Sequence, residues 1–257
     1  MSYYEGNAAY KALENPSYNG NFRWAVGDSW LLTYGNSACE PKLLIHARAV
    51  AGNPTTDAPG EQDTEMLRIL AVLSRPLSIP VAQLRFDVTS DLMNVAFGIL
   101  PHAPALTSME ELARIYREQA LPISYGPTDK PINVHSSSAY HLWQRDTLGR
   151  ALVATDIDLV RVRGDVPVEL IELNRSEDPL DTWVPYRDSR KFRLAWNVAN
   201  ANKLPFTISY NYRKKYPFFD DISRVSLFHM DFGAQGTPYT RLGVHPFDYF
   251  ARGDYLA

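Results

Sequence analysis

Ala154-Thr155-Asp156-Ile157-Asp158-Leu159-Val160, then Glu169-Leu170-Ile171-Glu172-Leu173-Asn174, is where apolar alternation and acidic residues coincide. Residues 152–163 and 168–173 read as two strands, and the tight turn Gly164-Asp165 between them makes them antiparallel neighbours. Side chains on a strand alternate faces, so Asp156 and Asp158 are expected on one face, and Glu172 and Asn174 likewise share one. Glu172 sits in an otherwise apolar run, where an ionised carboxylate is expensive to desolvate, and acids on the adjoining strand add like-charge repulsion. A divalent cation answers both. Magnesium, or manganese in its place, takes hard oxygen ligands and keeps several waters, which suits Asp156, Asp158, Glu172 and a backbone carbonyl such as that of Leu173.

Working outward, a helix is expected after the second strand, capped by Asp188 or Ser189, with Phe192, Ala195, Trp196 and Ala199 as its apolar stripe. Residues 204–212 and 225–230 read as further strands. Upstream, Ser136 to Ser138 offer caps for a short helix through Tyr140 and Trp143, and Ser108 with Glu111 reads as a capping box for a helix presenting Met109, Leu112, Ala113 and Tyr116. The first hundred residues mix strands at 24–34, 43–50, 81–88 and 93–100 with a helix at 65–74. The expected division is an α+β region over 1–106, serving recognition or interaction, and an α/β domain over 107–257 with a central mixed sheet flanked by helices. No internal repeat is legible.

Composition narrows the function. The chain has 257 residues and a net charge of −3, so nothing global advertises a polyanionic partner or a membrane. The single cysteine, Cys39, excludes a disulfide framework, and Met1 to Tyr10 lacks the basic start and apolar stretch of a signal peptide. The expected setting is cytoplasmic, with no membrane. The basic residues are nevertheless segregated. Between 187 and 215 stand Arg187, Arg190, Lys191, Arg193, Lys203, Arg213, Lys214 and Lys215 against one acid, Asp188. Such a patch suits a phosphate backbone, and Tyr210, Tyr212 and Tyr216 nearby could stack on bases of a single strand.

At these residues, over about 136–231, the chain resembles the PD-(D/E)XK nuclease superfamily, whose order is a leading helix, an aspartate strand, a Glu-x-Lys strand, a helix and a further strand. The resemblance implies a restriction-endonuclease-like fold. It also implies a magnesium-dependent deoxyribonuclease, a hydrolase of defence, restriction or repair, in which Asp158 and Glu172 bind the metal and Asp156 assists. Thirteen residues separate Asp158 from Glu172. Asn174 stands where the family carries lysine, and Lys191 or Arg190 on the next helix can supply the missing charge. Gln144, on the helix before the aspartate strand, matches an accessory polar position of the family.

Plainer readings compete. Asp156 can simply end a strand, Glu172 can pair structurally with Arg161 or Lys191, and the basic run can be a solvated face. A second function from another class is a nuclease-like subunit that has lost catalysis and binds nucleic acid or assembles a larger complex, for which Asn174 is the best argument. The partner expected is nucleic acid, DNA before RNA, with a homodimer or a larger protein complex left open.

Overall fold

A computed structural model of the chain describes residues 7–56, 59–88, 92–127, 138–186 and 189–256. In order these form α1 (Ala8–Leu13), β1 (Phe22–Arg23), β2 (Ser29–Gly35), β3 (Pro41–Val50), α2 (Glu61–Ser74), β4 (Val81–Asp87), β5 (Asn94–Ile99), β6 (Ala105–Ser108) and α3 (Met109–Glu118). Then come α4 (Ala139–Thr147), β7 (Val153–Asp156), β8 (Leu159–Arg163), β9 (Val166–Ser176), α5 (Arg190–Ala201), β10 (Phe206–Lys214), β11 (Phe219–Met230), β12 (Tyr239–Pro246) and α6 (Phe247–Arg252). The architecture is α/β with two mixed sheets.

Local chemistry accounts for the helix starts. Ser108 Oγ accepts from the Glu111 amide at 3.1 Å, and α3 buries Met109, Leu112, Ala113 and Tyr116. The other half of the expected capping box is replaced, since the Glu111 carboxylate takes Arg114 at 2.7 Å. Ser138 caps α4, and Ser189 rather than Asp188 caps α5; Asp188 itself lies outside the described residues. Trp143 and Trp196, expected in the core, are half-buried, Trp143 stacked on Tyr140 and Trp196 tilted against Phe232.

The chain divides differently from the expected boundary at 106/107. One unit is Asp28–Asp156, here the inner unit; the other, the outer unit, combines Met1–Gly27 with Ile157–Ala257. The reason is hydrophobic. Leu112, Tyr116, Tyr140 and Leu148 share one core with Leu32, Ile45, Leu84 and Phe97. Each such side chain contributes about 1.5–3 kcal/mol on burial, which ties α3, α4 and Leu148 to the inner sheet.

The strand expected over 152–163 is likewise two strands in two sheets. β7 pairs with β2, placing Asp156 opposite Leu32, whereas β8 pairs with β9 and β1. Side chains meet the backbone where β8 begins. The Leu173 amide donates to Asp158 Oδ2 at 2.9 Å, and Tyr10 donates its hydroxyl to the Asp158 carbonyl at 3.1 Å. The helix expected to lead the aspartate strand also changes: α4 packs into the inner unit, and the helix that precedes the outer unit's edge strand β1 is α1.

The two units repeat one topology, a correction to the reading of a chain without repeats. The outer sheet runs β1-β8-β9-β10-β11-β12 and the inner sheet β7-β2-β3-β4-β5-β6. In both, the third and fourth strands are parallel and joined by a helix, and every other pair is antiparallel. In both, a helix follows the last strand, and a helix precedes the strand that fills the first position. That first strand comes from elsewhere in the chain each time: β1 lies before the inner unit, and β7 lies before the rest of the outer unit.

The details agree residue by residue. Leu44 donates to the Pro80 carbonyl at 3.1 Å and Leu170 to that of Pro205 at 3.0 Å, and each begins a parallel ladder of seven rungs. Ser78 (φ 53) and Lys203 (φ 57) both take the left-handed conformation at the turn leading into those prolines. Sequence comparison of the halves hides this because the hairpin joining the second and third strands differs in length and most equivalent side chains differ in chemistry. Among the described residues, no helix is long and apolar enough to cross a membrane.

Candidate functional site

The antiparallel register Leu159↔Ile171 and Val160↔Leu170, carried one residue further, sets Asp158 opposite Glu172. Asp158 is 4% and Glu172 6% exposed. Two buried carboxylates on adjacent strands repel one another unless cations attend them. One comes from the first turn of α5, where Lys191 Nζ stands 3.9 Å from Glu172 Oε1. Arg190 lies beside it and is exposed. Because α5 starts after the C-terminal end of β9, the positive end of its helix dipole lies at that end of the sheet. This is the carboxyl end of the parallel strands β9 and β10, the end at which open α/β sheets bind ligands.

Asn174 is two residues beyond Glu172 on the same face of β9, paired in register with Tyr210. It is half-buried, and its amide makes no hydrogen bond to a described residue. Arg175 points to the opposite face and pairs with Asp220. The expected partner Arg161 does not serve Glu172. Its Nε binds Glu169 Oε2 at 2.8 Å, and its remaining donors take the Ala251 carbonyl at 2.9 Å and the Phe250 carbonyl at 2.7 Å at the end of α6.

Other expected residues are dispersed. Asp156 belongs to the inner unit, so the shared-face argument that joined it to Asp158 no longer holds. Gln144 is also in the inner unit, where its Oε1 accepts from the Tyr34 hydroxyl at 2.7 Å. Among the described residues, no group of three or more His, Cys, Asp and Glu side chains is gathered to hold a metal ion. The remaining donor set, two carboxylates with the Leu173 carbonyl nearby in the chain, fits magnesium, which commonly takes one or two carboxylates and completes its shell with water and substrate phosphate.

The basic run separates into groups. Arg190, Lys191 and Arg193 lie in the first turns of α5, with Arg193 over the Phe232 ring at 5.2 Å from its centroid. Lys203 lies at the opposite end of that helix, about 18 Å away along a 12-residue helix. Arg213, Lys214 and Lys215 return to the first end, because β10 runs parallel to β9. Arg187 lies outside the described residues. Tyr210 is not a stacking platform for bases: it is fully buried, stacked on Trp183 at 4.1 Å, with its hydroxyl on the Asp178 carbonyl at 2.7 Å. Tyr216 is 89% exposed. The sequence reading passed over Phe218, Phe219 and Tyr186, which are also exposed. The signal for the first two was present, as aromatic residues shortly after two lysines, beyond Tyr216 and Pro217.

No family model matches the chain, and comparison with curated proteins gives no match. Among solved structures, the C-terminal domain of sex pheromone staph-cAM373 precursor from Staphylococcus aureus aligns at 11% identity, covering 84% of this chain and 69% of that one, with a TM-score of 0.13. That likeness carries no argument.

Proposed function

We propose that the outer unit is a restriction-endonuclease-like, metal-dependent nuclease acting on DNA inside the cell. The observation that carries this reading is the contrast between equivalent rungs of the two sheets. Matching the ladders at Leu44 and Leu170, the inner unit has Leu31 where the outer has Asp158, and His46 where it has Glu172. Counting back along the helices from Ser78 and Lys203, Met66 takes the place of Lys191. The same fold is therefore built without these charges, and unlike Glu169, which Arg161 and Tyr255 close off, Glu172 faces a lysine that is 35% exposed and 3.9 Å away, an environment that points to chemistry.

In this reading Asp158 and Glu172 hold magnesium or manganese. When bound, the ion supplies Lewis-acid stabilisation of phosphodiester charge and lowers the pKa of a bound water. Lys191 and Arg190, at the positive end of α5, hold the scissile phosphate, and the Asn174 amide orients the phosphate or the attacking water. A buried Glu172 restrains Lys191 until phosphate competes for it. The second reading, a silent nuclease fold that binds or assembles, is favoured by Asn174 at the lysine position.

Cleavage of supercoiled plasmid, single-stranded DNA and RNA with magnesium or manganese separates the two. Activity of the wild type that is lost in Asp158→Ala and in Glu172→Ala is the expected result. Salt-dependent binding by a folded wild type without cleavage selects the second reading, and absence of both overturns each.

A further inference from the structure

The turn joining β10 to β11 carries Tyr216, Phe218 and Phe219 at 89%, 64% and 53% exposure. Three exposed aromatic side chains within four residues of one hairpin are the kind of surface that marks a contact site. Lys214 and Lys215 precede it, both exposed, and neither ammonium has an ion-pair partner among the described residues.

The acids nearest along the chain are already engaged. Asp220 is held by Arg175, by the Asn211 amide at 2.7 Å and by the Ala8 amide at 3.0 Å. Asp221 Oδ1 accepts from the Ser223 amide at 2.9 Å, and Glu177 Oε1 accepts from the Lys215 amide at 3.0 Å. The lysine ammonium groups are thus left for an external anion. The ladder between β10 and β11 shifts register between Tyr210 and Tyr212, just before the arm.

Flat π faces beside unpaired ammonium groups complement an anionic backbone with unstacked bases. We propose that this hairpin is an arm for single-stranded nucleic acid, with Tyr216 and Phe218 stacking on bases and Lys214 and Lys215 on flanking phosphates. The inference rests on the nuclease reading and names its substrate class. Register places the arm beyond the C-terminal end of the parallel strands: Ile208 pairs with Glu172, and Lys214 lies six residues further along β10, about 20 Å away at 3.3 Å per residue.

The test is anisotropy of labelled oligothymidylate and of a duplex of equal length with the full chain, over a salt series, backed by thermal melts. The double substitution Tyr216→Ala with Phe218→Ala is expected to weaken single-strand binding about tenfold or more and leave duplex binding and melting unchanged. Lys214→Ala with Lys215→Ala is expected to weaken binding and flatten its salt dependence. Duplex binding that needs Arg190 and Lys191 but ignores both hairpin variants overturns the arm and spares the nuclease reading. Failure of the wild type to bind any nucleic acid overturns both. Capture of the wild type by phosphatidylserine vesicles instead of oligonucleotide, abolished in the aromatic variant, overturns the arm in favour of a lipid surface.

Discussion

The inner and outer units solve the same packing problem with different chemistry at the same rungs. Where the outer unit buries Arg161 opposite Glu169, the inner unit has Tyr34 opposite Leu43. The outer pair is closed by Tyr255, whose hydroxyl reaches Glu169 Oε2 at 2.7 Å, and the guanidinium lies over the Phe22 ring at 4.4 Å. The inner equivalent is a hydroxyl cluster, with Tyr34 and Tyr116 each 2.6 Å from the Tyr140 oxygen, and burial pushes all three phenols up. Both arrangements are satisfied, and both serve to hold helices to a sheet. Glu172 is a different kind of buried charge, because Glu169 takes a buried guanidinium at 2.8 Å whereas Lys191 stands 3.9 Å from Glu172 and is 35% exposed.

Replacing Arg161 by Ala should have the largest effect, because it strands the fully buried Glu169 and releases the end of α6; a loss of about 3–5 kcal/mol is expected in urea unfolding. A midpoint unchanged from wild type would show that the pair does not hold the outer unit together. Asp158→Asn and Glu172→Gln should each lower cleavage roughly 100-fold or more, since several kcal/mol of charge stabilisation would be lost. Their folding midpoints should stay within about 1 kcal/mol of wild type, because Asn can still accept from Leu173 and Glu172 has a partly exposed partner. A large fall in stability instead would make these acids structural and erase the contrast.

The inner unit should announce itself by acid sensitivity. Burial pushes His46 down to about 4, with Arg48 and Arg85 adding to the shift and Asp63, 3.6 Å away, opposing it. The unfolded imidazole, near pH 6.5, binds its proton first, so stability is lost as pH falls from about 6.5 through 4. His46→Gln should remove on the order of 2–3 kcal/mol of that pH dependence, read from denaturation midpoints across the window. Lys191→Met, which copies Met66, should cost about tenfold in cleavage and less than about 1 kcal/mol in stability, with Lys191→Arg retaining part of the activity. Smallest is Tyr34→Phe, expected to cost about 1 kcal/mol by melting, as one satisfied hydroxyl leaves the inner cluster.

Much of the local structure is readable from residues alone, for physical reasons that act over a few positions. Ser108, Ser138 and Ser189 cap the helices because a side-chain oxygen meets amides two or three residues on. Gly164-Asp165 makes a hairpin because the turn needs only its own backbone, and Glu172 stands out because its neighbours are apolar. The crossing at Ile157 was not readable in the same way. Alternation runs through it unbroken, no proline or glycine marks it, and the amide and carboxylate that complete it, Leu173 and Asp158, are fifteen residues apart.

The sequence by itself determined the starts of α3, α4 and α5, the β8–β9 pairing and the acids at its end, all of which depend on short-range hydrogen bonding and alternation, whereas α2 begins at Glu61, four residues before the expected start at 65. Tertiary structure alone decided that β7 leaves for the inner sheet while β1 joins the outer one, that Asp156 parts from Asp158, and that of the two cations expected at Glu172 it is Lys191 and not Arg161 that comes to it. Those outcomes depend on which distant strand edge satisfies a backbone and which distant core buries a helix, and neither choice is recorded in the residues nearby.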